Sequence, residues 1–222
     1  MLGRWWAAVT MFRHFDSGDY WRLRYSRGGD SGTGSYGEQA TFKALSLNDF
    51  VAAHSVENMI ELGSGDGNVA SLLRVPHYVG LDLSVDAVDM ARARFTGDET
   101  RQFNVIDSEG FHLKQILPAS LAVSMDVILH LVEDQTYESY MRDLFACSTR
   151  YVGIFSTVTD QQPRFPWRHV RYRDHRAWVT RCWPHAKLVR EDLRPGTTGP
   201  STVSAFWYYD IDPSRQCGAS GL

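Results

Sequence analysis

The stretch Met59-Ile-Glu-Leu-Gly-Ser-Gly-Asp-Gly67, followed by Tyr78-Val-Gly-Leu-Asp-Leu-Ser84, decides the fold predicted for this chain. One apolar segment runs into three alternating glycines, and a second ends in Asp82. Glycines allow a sharp turn and let a ligand approach the backbone closely. An acid at the end of the second strand can accept hydrogen bonds from a ribose. The pattern therefore predicts a nucleoside site at 63–67 and Asp82; a tight turn without a ligand is the alternative.

The glycine loop differs from a dinucleotide fingerprint in two ways. That fingerprint reads Gly-x-Gly-x-x-Gly, and a helix N-terminus faces the pyrophosphate. Here Asn68 stands at the position of the third glycine, and Glu61 lies at the end of the first strand. A carboxylate at that point repels a pyrophosphate but suits a cationic ligand. The sequence therefore favours a positively charged nucleoside.

The order acid-x-Gly-x-Gly-x-Gly at 61–67 resembles motif I of the class I S-adenosylmethionine (SAM) methyltransferases. The resemblance implies SAM as the cofactor, because a sulfonium and an ammonium tolerate nearby negative charge. By position it also implies that Asp107, which closes the third predicted strand, accepts the adenine amino group; a simple helix cap is the alternative. The resemblance assigns to the donor site Glu61, Gly63, Ser64, Gly65, Gly67, Asn68, Asp82, Leu83, Asp107 and Met125.

A second motif follows the fourth predicted strand. Ser124-Met-Asp126-Val-Ile-Leu-His130-Leu resembles motif IV of the same family, where a His-Leu pair faces donor and acceptor. If the chain turns helically there, Asp126 and His130 share one face. A carboxylate beside the imidazole would stabilise its protonated form. We therefore expect Asp126 and His130 to be catalytic, with His130 taking or orienting the acceptor proton; local packing or capping by His130 is the alternative.

Aromatic residues and glycines precede the first predicted strand. The pattern Tyr-Trp-x-x-x-Tyr at 20–25, the glycine-rich run at 27–37 and Phe-Lys-Ala at 42–44 resemble a methyltransferase subgroup associated with bacterial glycan modification and specialised metabolism. The glycines would act as hinges of a lid that closes over the acceptor. A flexible loop with core aromatics is the alternative. The aromatic residues assigned to the acceptor side are Tyr20, Trp21, Tyr25 and Tyr36.

A basic segment, 167–175, lies between the fifth predicted strand and the last helix. His169, Arg171 and Arg173 alternate there, so their side chains would share one face of an extended segment. Together with Arg24 and Arg27 they would clamp a phosphate or carboxylate of the acceptor. A solvated charged surface is the alternative.

Composition limits the class of partner. A net charge of -3 gives no bulk attraction to nucleic acid or to an anionic membrane. The absence of Asn-Pro-Pro-Tyr after the fourth strand also disfavours methylation of nucleic-acid amino groups. Three distant cysteines form no metal-type pair, so we expect no metal site and a reducing, cytoplasmic location. The apolar residues 1–12 are too short to span a bilayer, and their tryptophans are a candidate surface for a homodimer.

Apolar segments alternate with helical ones from residue 57 onward. This alternation predicts an α/β, doubly wound, mostly parallel seven-stranded sheet that is Rossmann-like, and the resemblance implies an antiparallel last strand. The helix predicted at 38–54 would cover the edge of the sheet. The predicted strands are 57–62, 77–82, 101–106, 120–125, 150–156, 186–193 and 202–211. The other predicted helices are 67–74, 84–95, 109–116, 134–147 and 173–183, with Asp134 as a cap.

This organisation predicts three parts of the chain. Residues 1–37 would be an N-terminal extension with a candidate lid, and 213–222 a flexible tail. Residues 38–212 would form the methyltransferase domain, with an acceptor-shaping insertion near 157–183. We therefore expect a SAM-dependent methyltransferase that acts on an oxygen or nitrogen of a small polar, in one interpretation anionic, natural-product or sugar intermediate. An NAD(P)-dependent reductase and a non-catalytic SAM-binding protein are the alternatives.

Overall fold

The structure, a computed structural model, describes residues 15–106, 117–159, 161–162, 167–196 and 204–211. In these ranges a seven-stranded sheet has the order β3-β2-β1-β4-β5-β7-β6. Its strands are β1 (Asn58–Leu62), β2 (His77–Asp82), β3 (Arg101–Val105), β4 (Ala119–Met125), β5 (Ser148–Thr157), β6 (Lys187–Leu193) and β7 (Ser204–Asp210). The α-helices are α1 (Ser17–Ser26), α2 (Gly37–Ala53), α3 (Val85–Arg94), α4 (Asp134–Ala146) and α5 (His175–Cys182).

Strand direction confirms the predicted fold class. β1 pairs in parallel with β2 and β4, and the parallel arrangement continues to β3 and β5. β7 runs antiparallel to both β5 and β6. The chain crosses from β3 back over β1 to reach β4, so the strand order reverses between β1 and β4. In open α/β sheets such a switch point opens a crevice at the carboxyl ends of the strands.

Both faces of the sheet are covered because its strands are apolar on both sides. On one face, α2 and α3 pack against residues such as Met59 and Leu121. On the other face, α4 and α5 pack against residues such as Ile60 and Val152. In α4 the buried residues follow helical spacing, as expected for an amphipathic helix: Tyr137, Met141, Leu144 and Phe145. The prediction that the 38–54 helix covers the sheet edge is wrong, because α2 lies on a face.

Two local predictions also need correction. The predicted helix at 67–74 is a turn followed by a three-residue 3-10 helix, Ala70–Leu72. Gly67 has a φ of 74° and Leu73 is already extended, so too few residues remain for an α-helix. The N-cap of α4 is Glu133, whereas Asp134 is the first helical residue and binds arginines instead.

Several predictions lie outside the described residues or are not tested. The helix at 109–116, the residues 1–14 and the tail at 213–222 belong to parts that the structure does not describe. No helix in the described ranges is long and apolar enough to cross a bilayer. The division into three parts, the cytoplasmic location and the homodimer stay predictions.

Candidate functional site

The glycine loop after β1 turns back at the end of β2. The backbone N–H groups of Gly63 and Ser64 both donate to the Leu81 carbonyl, over 2.7 and 3.0 Å. Gly63 has a φ of 77°, and a Cβ there would lie 2.4 Å from a methyl carbon of Val127. Any side chain at Gly63 would therefore strain the backbone and push the segment after β4 away. The absence of a side chain at Gly63 therefore makes room for the Val127 side chain.

Asp82 anchors the loop from the next strand. Its Oδ2 accepts the N–H of Gly65 over 2.9 Å, and its Oδ1 accepts the N–H of Ser84 over 2.9 Å. The carboxyl is buried, which raises its pKa, while the two amide hydrogen bonds oppose that shift. Each oxygen keeps a second lone pair, so the carboxylate can still accept hydrogen bonds from ligand hydroxyls.

Glu61, the acid before the glycines, is also buried. Its Oε2 accepts the hydroxyl of Tyr78 over 2.6 Å. Burial raises the pKa of Glu61 to about 7, and the hydrogen bond from Tyr78 and the positive charge of Lys43 oppose that shift. A carboxyl held near this pKa ionises more readily when a cation lies beside it. Glu61 is therefore suited to a positively charged ligand.

A cavity of about 340 Å³ opens at the switch point. Most predicted donor residues line it, while Gly67 only shapes the loop and Asp107 lies outside the described residues. Among the described residues that line the cavity, Lys43 is the one lysine or arginine. The donor residues that line it are Glu61, Gly63, Ser64, Gly65, Asn68, Asp82, Leu83 and Met125. Its acidic side chains are Asp16, Glu61, Asp66, Asp82, Asp126, Glu133 and Asp143.

Ser64 borders the cavity, but its hydroxyl does not face it. Its hydroxyl oxygen is buried and has no hydrogen-bond partner among the described residues. A Cβ on Gly80 would lie 2.8 Å from this oxygen, so the hydroxyl is packed against β2.

The glycine-rich residues 27–36, hereafter the lid, cover the glycine loop. Asp66 is fully buried and its Oδ2 accepts both the N–H of Ser31, over 3.1 Å, and the hydroxyl of Tyr36, over 2.6 Å. The hydroxyl of Ser31 in turn accepts the N–H of Asp66 and bonds to the Tyr25 hydroxyl. A Cβ on Gly65 would lie 2.3 Å from the Ser31 oxygen. The backbone of the glycine loop therefore packs directly against the Ser31 side chain of the lid.

The aromatic residues of α1 lie against His130. The Trp21 ring meets the His130 ring edge-on, with centroids 5.0 Å apart. The Tyr20 ring stacks on His169 at 4.7 Å, and His169 stacks on His130 at 5.4 Å. Trp21 and Tyr25 line the cavity, whereas Tyr20, Tyr36 and His169 support it from behind. The structure thus groups the rings of Trp21, His169 and Tyr20 with that of His130.

The imidazole of His130 is held in one tautomer. Its Nδ1 lies 2.8 Å from the carbonyl oxygen of His169, and because a carbonyl only accepts, Nδ1 carries the proton. Nε2 therefore carries the lone pair. Burial lowers the pKa of His130 to about 4, so the ring is neutral near pH 7. A neutral imidazole in the cavity wall can accept a proton, but a pKa this far below 7 makes it a weak base.

Asp126 and His130 do not form the predicted direct pair, although the negative charge of Asp126 raises the pKa of His130 against the effect of burial. Asp126 lies at the cavity wall, but its Oδ2 forms an ion pair with Lys43 Nζ at 2.6 Å. The imidazole is instead oriented by a backbone carbonyl, and its pKa falls rather than rises. The error arose because Lys43 approaches from α2, a contact between distant positions that the local spacing of Asp126 and His130 does not reveal.

The predicted arginine clamp does not reach the cavity. Arg173 donates to the carbonyls of Leu131 and Val132 over 2.5 and 3.1 Å, and pairs with Asp134. Arg171 donates to the same Val132 carbonyl and also pairs with Asp134. Arg24 is bound to Asp30, through its carboxylate and its carbonyl oxygen, and Arg27 does not line the cavity. Arg24, Arg171 and Arg173 thus fasten chain segments together, and none of the four arginines lines the cavity.

Two residues of the site were missed from the sequence. Lys43 is one of three lysines in the chain and lies on the apolar face of α2 with Ala40, Ala44 and Leu47. A lysine at that spacing among apolar residues predicts a buried charge, and a buried lysine needs a partner. Asp66 lies between two glycines of the loop and gave no signal beyond its position.

Comparisons with known proteins place the fold. No family model and no curated protein matches this sequence. Among solved structures, the N-methyltransferase NodS from Bradyrhizobium japonicum in complex with S-adenosylhomocysteine (SAH) has a TM-score of 0.69 at 14% identity, and the match covers 89% of this chain and 99% of that chain. The magnesium protoporphyrin IX methyltransferase from Synechocystis with bound SAH has a TM-score of 0.61 at 14% identity, over 86% and 96% of the two chains.

A third similar structure is the methyltransferase domain of a bacterial Hen1 protein, with a TM-score of 0.62, 15% identity and coverage of 78% of this chain and 98% of that chain. Each match covers nearly the whole length of the methyltransferase structure concerned. The protein is built on an open α/β sheet with a crevice at its switch point. More particularly, it has the fold of the class I SAM-dependent methyltransferases.

Proposed function

We propose that this protein is a SAM-dependent methyltransferase that transfers a methyl group to an oxygen or nitrogen atom of a small polar molecule. One observation carries the proposal: two buried carboxyls, Glu61 and Asp82, flank the glycine loop at the switch point. Asp82 supplies acceptors for ribose hydroxyls, and Glu61 supplies negative charge for a cationic donor.

The geometry also disfavours a nicotinamide dinucleotide. A pyrophosphate is normally bound at the N-terminus of a helix that follows the glycine loop. Here a three-residue 3-10 helix, Ala70–Leu72, follows, and the cavity wall carries Glu61 and Asp66. Without a helix dipole and beside these carboxyls, two phosphates would be repelled. The reductase alternative is therefore weaker than the methyltransferase.

When bound, SAM supplies an electrophilic methyl group on a sulfonium. The protein then positions the acceptor and removes its proton, and correct placement accounts for much of the rate in such transfers. His130 presents Nε2 as a proton acceptor, held in orientation by the His169 carbonyl. Nε2 would take the proton of the acceptor oxygen or nitrogen as that atom gains the methyl group, while the carbon–sulfur bond breaks and the donor leaves as neutral SAH. Trp21, which contacts the His130 ring, borders the place where the acceptor would lie.

The acceptor side of the cavity supports a neutral or cationic acceptor better than an anionic one. Lys43 is the one lysine or arginine in the described wall, and its charge is paired with Asp126. A phosphate or carboxylate would face carboxyls without a free partner. The small-molecule acceptor itself, and whether oxygen or nitrogen is methylated, is decided by experiment.

Calorimetry with SAM, SAH, NADH and NADPH tests the cofactor. We expect saturable binding of SAM and SAH and none of the two nicotinamide nucleotides; the Asp82→Asn variant should bind SAM at least tenfold more weakly. Methyl-labelled SAM incubated with fractionated small-molecule extract then tests transfer. Binding of NADH without SAM would overturn the proposal, and SAM binding with no labelled product in any fraction would leave the non-catalytic alternative.

A further inference from the structure

Lys43 is a charged side chain in a place where charge is costly. It projects from α2 and is fully buried, at 0% exposure. Its Nζ lies 2.6 Å from Asp126 Oδ2 and 2.9 Å from the Gly34 carbonyl oxygen, and it sits 5.0 Å from the centre of the Phe155 ring. A buried ammonium is strongly unfavourable unless it is paired and hydrogen-bonded. Both of its polar partners belong to segments that border the cavity.

The first partner, Gly34, belongs to the lid. A Cβ on Gly34 would lie 2.8 Å from Asp126 Oδ2, so the lid touches the end of β4 directly. Its φ is not in the left-handed region, and the requirement for glycine is therefore one of space. The carbonyl of the neighbouring Ser35 accepts a hydrogen bond over 2.7 Å from the side-chain amide of Asn68, which directly follows the glycine loop. The lid is thus fastened both to the glycine loop and, through Lys43, to β4.

The second partner, Asp126, begins the segment that carries His130. Asp126 has a φ of 58°, a left-handed conformation that is unusual for a residue other than glycine. Its N–H donates to the Phe155 carbonyl over 2.9 Å, and the 3-10 helix Ile128–His130 follows directly. Strained residues of this kind persist only when the surrounding structure holds them. The ion pair with Lys43 provides that hold for the Asp126 side chain.

We propose that Lys43 is a positioning residue, which couples closure of the lid over the donor to the placement of Asp126 and, through it, of His130. The inference rests on the proposed methyl transfer for its catalytic part only. With the lid closed, the Gly34 carbonyl and Asp126 complete the surroundings of the ammonium. With the lid open, the ammonium loses one of two polar partners, so the closed lid and the ordered end of β4 stabilise each other.

The charge of Lys43 also acts on Glu61, on the proposed donor side. The positive charge of Lys43 lowers the pKa of Glu61 against the effect of burial, and Tyr78, Asp66 and Asp82 are the other ionisable groups that act on that carboxyl. Lys43 therefore favours the ionised form of Glu61 as well as holding Asp126.

The test compares Lys43→Met with wild type and with Lys187→Met, which removes an exposed lysine in β6. Hydrogen exchange of the full-length protein without ligand should be at least about tenfold faster in peptides covering 27–36 and 126–131, and unchanged in β1. Transfer should fall about 10- to 100-fold in kcat, the range expected when reacting groups shift by up to an ångström. Lys187→Met should match wild type in every measurement.

A double-mutant cycle separates coupling from general damage. Asp126→Asn and Lys43→Met should each slow transfer, and the double variant should be no slower than the worse single variant, because both remove the same contact. Additive losses, or wild-type lid exchange and wild-type kcat in a folded Lys43→Met protein, would overturn the proposal.

Gly34→Ala provides the test if Lys43→Met does not fold. It leaves both charges in place but pushes the lid away from Asp126, so lid exchange should rise and kcat should fall. Thr33→Ala, an exposed change in the same turn, is its control. Wild-type exchange and turnover in Gly34→Ala would also reject the coupling. If wild-type protein binds neither SAM nor SAH, the proposed function fails, while the exchange experiment on the unliganded protein still decides whether Lys43 fastens the lid.

Discussion

His130 Nδ1 donates a hydrogen bond to the carbonyl oxygen of His169 over 2.8 Å, which joins the segment after β4 to the basic segment 167–175. This contact fixes the tautomer in which Nε2 carries the lone pair. The His169 ring also stacks on His130 and on Tyr20. The orientation of the proposed base is therefore set by the backbone of another segment. The nearby carboxylate of Asp126 affects only the pKa of the imidazole.

The first prediction concerns the proton acceptor. His130→Asn places an amide N–H where Nδ1 donates to the His169 carbonyl, but it removes Nε2. We expect kcat to fall about 10²- to 10⁴-fold, the usual contribution of general base catalysis. SAM affinity should change less than about threefold, since Asp82 and the glycine loop are untouched. Single-turnover kinetics and calorimetry measure the two effects; equal losses in both would refute the base assignment.

The second prediction concerns the arginines of the basic segment. Arg173 is only 11% exposed and donates to two carbonyls and to Asp134, so Arg173→Met should lower the free energy of unfolding by about 2–3 kcal/mol. It should also reduce turnover, because the 131–134 segment next to His130 loses its support. Arg142→Met, which removes a more exposed arginine with one weak ion pair, should cost less than about 0.5 kcal/mol. Urea unfolding measures both.

An anion clamp would behave differently under the same change. If Arg173 bound a substrate carboxylate, its loss would raise KM and leave unfolding unaffected. That result would contradict the structural role described here.

The third prediction is a pH dependence of donor binding. Burial raises the pKa of Glu61 to about 7, so the carboxyl is largely protonated at pH 6 and largely ionised at pH 8. Because a cationic donor prefers the carboxylate, SAM should bind about three- to tenfold more tightly at pH 8 than at pH 6. Calorimetry across this range should show no such trend for Glu61→Gln, while Glu57→Gln, an exposed change just before β1, should keep it. A flat profile in wild type would argue against Glu61 as a donor contact.

The fourth prediction concerns acid stability. His175 is fully buried between Trp207 and Tyr209, and neither ring nitrogen has a hydrogen-bond partner among the described residues. Burial lowers the pKa of His175 to about 3 from an ordinary value near 6.5. Between these values the unfolded chain binds the extra proton, so stability is present above about pH 6.5 and is lost as the pH falls toward 3.

His175→Leu should therefore remove part of this acid sensitivity. The difference in Tm between pH 7.5 and pH 5 should be smaller in the variant than in wild type, and the exposed change His185→Gln should leave the difference as it is. Differential scanning calorimetry measures it. An unchanged pH difference in His175→Leu would show that other groups govern the acid limb.

The sequence predicted most of the fold and the residues that form the glycine-loop side of the cavity. The strands, the glycine loop and Asp82 follow from local patterns, because apolar periodicity and glycine conformations are properties of neighbouring residues. The helix at 67–74 failed for a local reason too, since Gly67 and the extended Leu73 leave too few residues between them. The contacts of the basic segment 167–175 were predicted less well, because an arginine side chain can bind an anion or a backbone carbonyl equally.

By itself, the sequence determined that a carboxylate, alternating glycines and a second carboxylate would meet at the ends of two adjacent strands, since short-range turn and strand preferences fix them. Only the tertiary structure decided what His130, Asp126, Arg171 and Arg173 contact. Their partners lie far away along the chain, in α2, in the lid and in the segment before α5. Such contacts depend on how whole elements pack, and burial then sets the charge states that the site can use.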